Sequence, residues 1–264
     1  MSSPLRPLLV LLAVSAAALA ATAVPARATT ICGEGTYAYA GYTGDDTVSS
    51  GVSATIEQAG PLAVHAGHVA GWIGVSEPND ANGWIQVGLS AFPGQATSEI
   101  YYEVTKPGHD TVYHEVAADV GPGAAHTFAV LEQHRRPGWW RVWVDGRPVS
   151  SPVYLAGSHG RWTPQVLGES WAGEVSGACN AYSYAFSSVK VRPAEESAAH
   201  GLTGPLYHDS YYVVTDRSRS GFVASSFGVA NFRGAAVQAP SPPASPNATG
   251  AASRPPQSTH AQSR

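Results

Sequence analysis

The sequence predicts an all-β protein: a concanavalin-like jelly-roll sandwich of two antiparallel sheets. Three observations carry that prediction. Among 264 residues there are 28 Gly and 20 Pro, too many for long uninterrupted helices. The chain breaks into short segments of alternating apolar and polar residues, each bounded by Gly, Pro, Asn or Asp. Hydrophobic residues make up 44% and charged residues 13%, too apolar for a disordered chain and sufficient for a core. Strands do not alternate with helical patterns, which excludes a doubly wound nucleotide-binding fold. The net charge of −4 argues against a nucleic-acid partner. With Lys only at Lys106 and Lys190, no polybasic membrane patch is expected either.

The elements follow in chain order. Residues 1–28 read as a signal peptide: Arg6, then the apolar run Leu8 to Ala21, then Ala26-Arg27-Ala28 as an A-x-A cleavage site. The apolar run is too short to span a membrane, so the protein is expected to be secreted and free of the membrane. Cys32 and Cys179 are the only cysteines, and in an exported protein an even pair reads as a disulfide. Loop closure would make it worth roughly 4–5 kcal/mol at most.

Residues 29–192 are expected to form the jelly-roll domain. Its strands are Thr36–Tyr42, Ser49–Gln58, Ala63–Val75, Gly83–Ser90, Ser98–Thr105, Thr111–Val120, His126–Gln133, Trp139–Val144, Trp162–Trp171 and Ala181–Val191. Trp139–Val144 is the clearest, ending on the hairpin signal Asp145-Gly146. Residues 193–234 form an extension in which Tyr211–Val214 and Gly221–Val229 could make one more hairpin. From 235 to 264 the chain is rich in Pro, Ser, Ala and Gln and nearly devoid of large apolar side chains, so a disordered tail is expected.

Strand alternation sorts side chains between two faces. Ile85, Val87 and Leu89 belong to the core, leaving Trp84, Gln86 and Gly88 on the other side. Ile100, Tyr102 and Val104 alternate with Glu99, Tyr101 and Glu103. Trp140, Val142 and Val144 alternate with Trp139, Arg141 and Trp143. Leu167, Glu169 and Trp171 share a face. Trp84, Trp143 and Trp171 together are unusual on a solvated sheet, and point to a groove for an extended polymer, peptide or glycan. A second layer covering that face is the competing arrangement.

These residues resemble a family. Trp72-Ile-Gly-Val75, then Gln86 in Trp-Ile-Gln-Val-Gly-Leu, then Tyr101-Tyr-Glu-Val, then Glu169 in Gly-Glu-Ser-Trp, then Tyr184-Ala-Phe-Ser-Ser-Val189 follow the order seen in the glutamic peptidases, or eqolisins. Tyr39-Ala-Gly-Tyr42 fits an early strand, with Tyr39 where a Trp is usual. The resemblance implies a Gln/Glu catalytic dyad on a concave sheet face, carried here by Gln86 and Glu169. Glu169 precedes Ser-Trp where the family has Trp directly after the Glu; a one-residue slip would turn the side chain over, and Glu174 is the alternative. Trp84, Tyr101, Glu103, Arg141, Trp143 and Trp171 are the expected substrate-binding residues, although Glu103 and Arg141 could equally form a cross-strand ion pair.

The resemblance implies a secreted endopeptidase working at acidic pH on an extracellular polypeptide. Burial among indoles would raise the pKa of the catalytic carboxylate. Two other readings use the same groove: a non-catalytic glycan- or peptide-binding module, and a xylanase-type glycosidase with Glu99 and Glu169 or Glu174 as its carboxylates. No cofactor is expected and no metal, since His65 and His68 lack a third ligand. The protein is expected to be a monomer.

Overall fold

The computed structural model describes residues 37–44, 47–78, 82–172, 179–194 and 198–226. The leader over 1–28, Cys32, Glu174 and the tail from 235 lie outside the described residues, and with Cys32 goes its pairing to Cys179. The described residues form fifteen strands: β1 (Tyr37–Thr43), β2 (Ser49–Gln58), β3 (His68–Ser76), β4 (Trp84–Ala91), β5 (Ser98–Thr105), β6 (Val112–Val120), β7 (Ala125–Glu132), β8 (Trp139–Val144), β9 (Arg147–Pro148), β10 (Val153–Tyr154), β11 (Thr163–Trp171), β12 (Ser183–Pro193), β13 (Tyr207–His208), β14 (Tyr212–Ser218) and β15 (Gly221–Ser226). Among the described residues there is no helix, so the sandwich is all-β and every pairing in it is antiparallel.

The front sheet runs β13-β1-β11-β3-β4-β5-β6 and the back sheet β10-β8-β7-β2-β12-β15-β14, with β9 paired to β8. β3 to β6 pair in chain order, as do β7 with β8 and β14 with β15, while β11 inserts between β1 and β3. Alternation then does the rest. Ile73, Val75, Ile85, Val87, Leu89 and Ile100 of the front sheet meet Val52, Ile56, Phe128, Val130, Trp140 and Val142 of the back sheet in one core. Close approach between the sheets explains two glycines. A Cβ at Gly71 would lie 2.6 Å from the Tyr184 ring, and one at Gly168 would lie 2.8 Å from the Ala224 Cβ.

Three expectations are corrected. The third strand begins at His68 and not at Ala63, because Ala63 makes only an isolated bridge to Ala181 and the chain turns before His68. The sandwich does not end at 192: β13 extends the front sheet beside β1, and β14 and β15 extend the back sheet beside β12. Trp143 and Arg141 do not share a face with Gln86 and Glu169. They lie on β8 of the back sheet, pointing outward because Trp140, Val142 and Val144 fill the core. Local alternation was read correctly there, but alternation does not say which sheet a strand joins. The Glu103–Arg141 ion pair is excluded for the same reason.

Candidate active site

The site is built on the outward face of the front sheet, with β3 at its centre. Gly74 of β3 pairs with Gln86 on one flank, and Ala70 pairs with Glu169 on the other. Residues spaced by two along a strand share a face, so Ala70, Trp72 and Gly74 point the same way as Gln86 and Glu169. The one-residue departure at Glu169 therefore does not turn it inward: it lies opposite Tyr39 and Ala70 and is 5% exposed. Ala70, Trp72, Tyr101 and Leu167 pack into a small apolar cluster of their own, with Tyr39 against it. Gly88 pairs with both Trp72 and Tyr101. A Cβ at Gly88 would sit 2.8 Å from the Trp72 Cβ, so the bare backbone there leaves room for the two rings.

Both oxygens of Glu169 are held from β3. The Trp72 indole N–H donates to Oε2 at 2.6 Å, and His68 Nε2 stands 2.8 Å from Oε1. His68 lies in an aromatic rim, with ring centroids 5.6 Å from Trp171 and 6.1 Å from Phe92, and Tyr37 stacks on Trp171 at 5.9 Å. Gln86 is 6% exposed, and its amide donates to Tyr101 Oη at 3.0 Å and to Glu103 Oε2 at 2.9 Å. Tyr101 stacks on Tyr113 at 5.0 Å, and the Tyr113 hydroxyl donates to Glu99 Oε1 at 2.6 Å. Trp84 is half-buried and walls a depression of about 430 Å³ with Asn82, Thr105 and Asp110.

The electrostatics follow from crowding acidic groups in a partly dry place. Burial, and then repulsion from Glu169, push the Glu103 carboxyl up to about 7, with His68 pulling it down in part. Burial, and then the charges of Glu169 and Glu103, hold the Tyr101 phenol well above its ordinary value. Tyr101 thus keeps its proton; accepting from Gln86, it still has that hydrogen to donate. The carboxyl held neutral into the neutral pH range is that of Glu103. Among the described residues no three His, Cys, Asp or Glu side chains are arranged to hold a metal ion.

Of the residues singled out in the sequence, Gln86, Glu169, Trp84, Tyr101, Glu103 and Trp171 come together on this face. Trp143 and Arg141 do not. Sequence reasoning missed His68 and Trp72 as partners of Glu169. His68 was weighed only as a metal ligand with His65, and cross-strand register between β3 and β11 is not written in either strand.

No protein-family model matches this sequence, and no curated protein sequence does. Among solved structures, a scytalido-glutamic peptidase with a transition state analog inhibitor is similar with a TM-score of 0.50 and 14% identity, over 75% of this chain and 99% of that one. A second structure of scytalido-glutamic peptidase, with a peptide-based transition state analog, also gives a TM-score of 0.50, at 13% identity and the same coverage. At such identity the likeness is one of fold: a jelly-roll sandwich.

Proposed function

We propose that this chain is a secreted glutamic-type endopeptidase that hydrolyses peptide bonds in extracellular polypeptides at acidic pH. The observation that carries the reading is that Gln86 and Glu169, far apart in sequence, flank β3 on one aromatic face. Ionised Glu169 takes a proton from a water as its oxygen bonds to the scissile carbonyl carbon. A preorganised N–H of Gln86, or the O–H of Tyr101, meets the developing oxyanion; loss of one such donor typically costs ~3–4 kcal/mol. The proton then passes from Glu169 to the leaving nitrogen as the C–N bond breaks. Export rests on the leader sequence and the Cys32–Cys179 pair, and both are part of the proposal.

One observation favours a second reading, a binding module without catalysis. Both Glu169 oxygens and the Gln86 amide nitrogen are already engaged by protein partners. The experiment is proteolysis of a denatured protein across pH 3 to 8, together with a xylan assay. The peptidase reading expects peptide cleavage that is lost in Glu169→Gln and reduced at least a hundredfold in Gln86→Ala. Cleavage that survives Glu169→Gln removes the reading; binding without cleavage leaves the module.

A further inference from the structure

The sandwich is charge-segregated. Among the described strands, those of the front sheet contain no Lys or Arg, while the back sheet carries Arg141, Arg147, Lys190, Arg192 and Arg217. Arg141, Lys190 and Arg192 point outward, because their neighbours Val142, Val189 and Val191 are core. Strand register aligns them in two rows. One row runs Arg141, Leu131, Gly51, Arg192; the next runs Trp143, Ala129, Ser53, Lys190. Three strand spacings separate the ends of each row, about 14 Å. Trp139 continues the aromatic side of this face, its ring 5.4 Å from that of Tyr154.

The middle of the second row is low, since Ser53 and Ala129 have small side chains, while in the first row Leu131 lies over Gly51. The edges of the face stand up as indoles on β8 and as exposed cations on β12. Arg141, between the two indoles, has its Nε buried with no hydrogen-bond partner in the described structure. The guanidinium is planar and permanently charged, a geometry that suits a carboxylate.

We propose that this face binds an anionic polysaccharide, with a sugar ring against Trp143 and carboxylates at Arg141, Lys190 and Arg192. Flat indole rings present apolar surface to pyranose faces. A few cations spread over the face match a polymer with one charge per sugar. Duplex nucleic acid carries a charge per ~1.7 Å and needs a denser basic footprint, which a chain of net charge −4 does not offer. The site is on the opposite side of the sandwich from Glu169 and does not depend on peptidase activity.

The test is affinity electrophoresis of the full chain at low ionic strength through gels containing polygalacturonate, dextran, polyglutamate or single-stranded DNA. Retardation by polygalacturonate alone is expected. It should weaken at least tenfold in Lys190→Ser/Arg192→Ser, whose positions are exposed and do not threaten the fold, and in Trp143→Ala. It should persist in Glu169→Gln. No retardation by polygalacturonate, equal retardation by polyglutamate or DNA, or full retardation of the Lys190/Arg192 double variant would each overturn the proposal.

Discussion

The Trp72 indole nitrogen donates to Glu169 Oε2 at 2.6 Å, and His68, four residues earlier on the same strand, stands 2.8 Å from the other oxygen. One strand thus grips a carboxylate that belongs to its neighbour. The grip exists because positions 68, 70 and 72 share a face and Ala70, the residue opposite Glu169, is too small to intervene.

Trp72→Phe keeps the ring and removes the donor. It leaves one oxygen of a buried carboxylate without that partner, and hydrogen bonds to charged groups are worth about 1.5–3 kcal/mol. Peptidase kcat should fall ten- to a hundredfold, with the chain still folded by circular dichroism. Unchanged kcat would show that Glu169 needs no such orientation.

His68→Gln retains an N–H donor, while His68→Phe retains only the ring contacts with Trp171 and Phe92. The first should keep most of the activity and the second lose at least tenfold in kcat/KM. Equal loss in both would mean that the imidazole itself, and not its donor, is required.

Glu103 makes folding stability depend on pH in a stated direction. Its carboxyl is raised from the ordinary 4.5 to about 7. The folded state therefore holds a proton that the unfolded state has released. Stability is fully present below pH 4.5 and declines as pH rises to about 7, by on the order of 1–3 kcal/mol. Glu103→Gln should flatten this decline in denaturant titrations at pH 5 and pH 8.

Gly168→Ala places a methyl against the Ala224 Cβ and the Tyr182 ring, at 2.8 Å from each. Overpacking of this kind costs about 1–3 kcal/mol, readable as a lower denaturant midpoint.

Trp143→Ala should leave peptide hydrolysis within twofold of the parent, since Trp143 lies on the outward face of the back sheet. Loss of cleavage in this variant would mean that the two faces are coupled.

Most strands could be read from the sequence because their pattern is local. In Trp84 to Ser90 or Trp139 to Val144 each side chain's face follows from its neighbour's, and the bounding Gly and Asp residues mark where pairing stops. The same locality placed Gln86, Tyr101 and Glu103 away from the core, whereas the facing of Glu169 was left open until its register with β1 and β3 fixed it. The very short β9, β10 and β13 were beyond reach, since two residues have no period.

What the amino-acid sequence determined alone was the class of fold, the run of strands and the two-sidedness of each one. Only the tertiary structure decided which sheet each strand joins and which residues stand opposite. That choice sent Trp143 and Arg141 to the far side, brought His68 and Trp72 to Glu169, and raised the Glu103 carboxyl. Side-chain alternation is set within a few residues by backbone geometry, whereas sheet membership and cross-strand register depend on contacts between segments that the chain order leaves far apart.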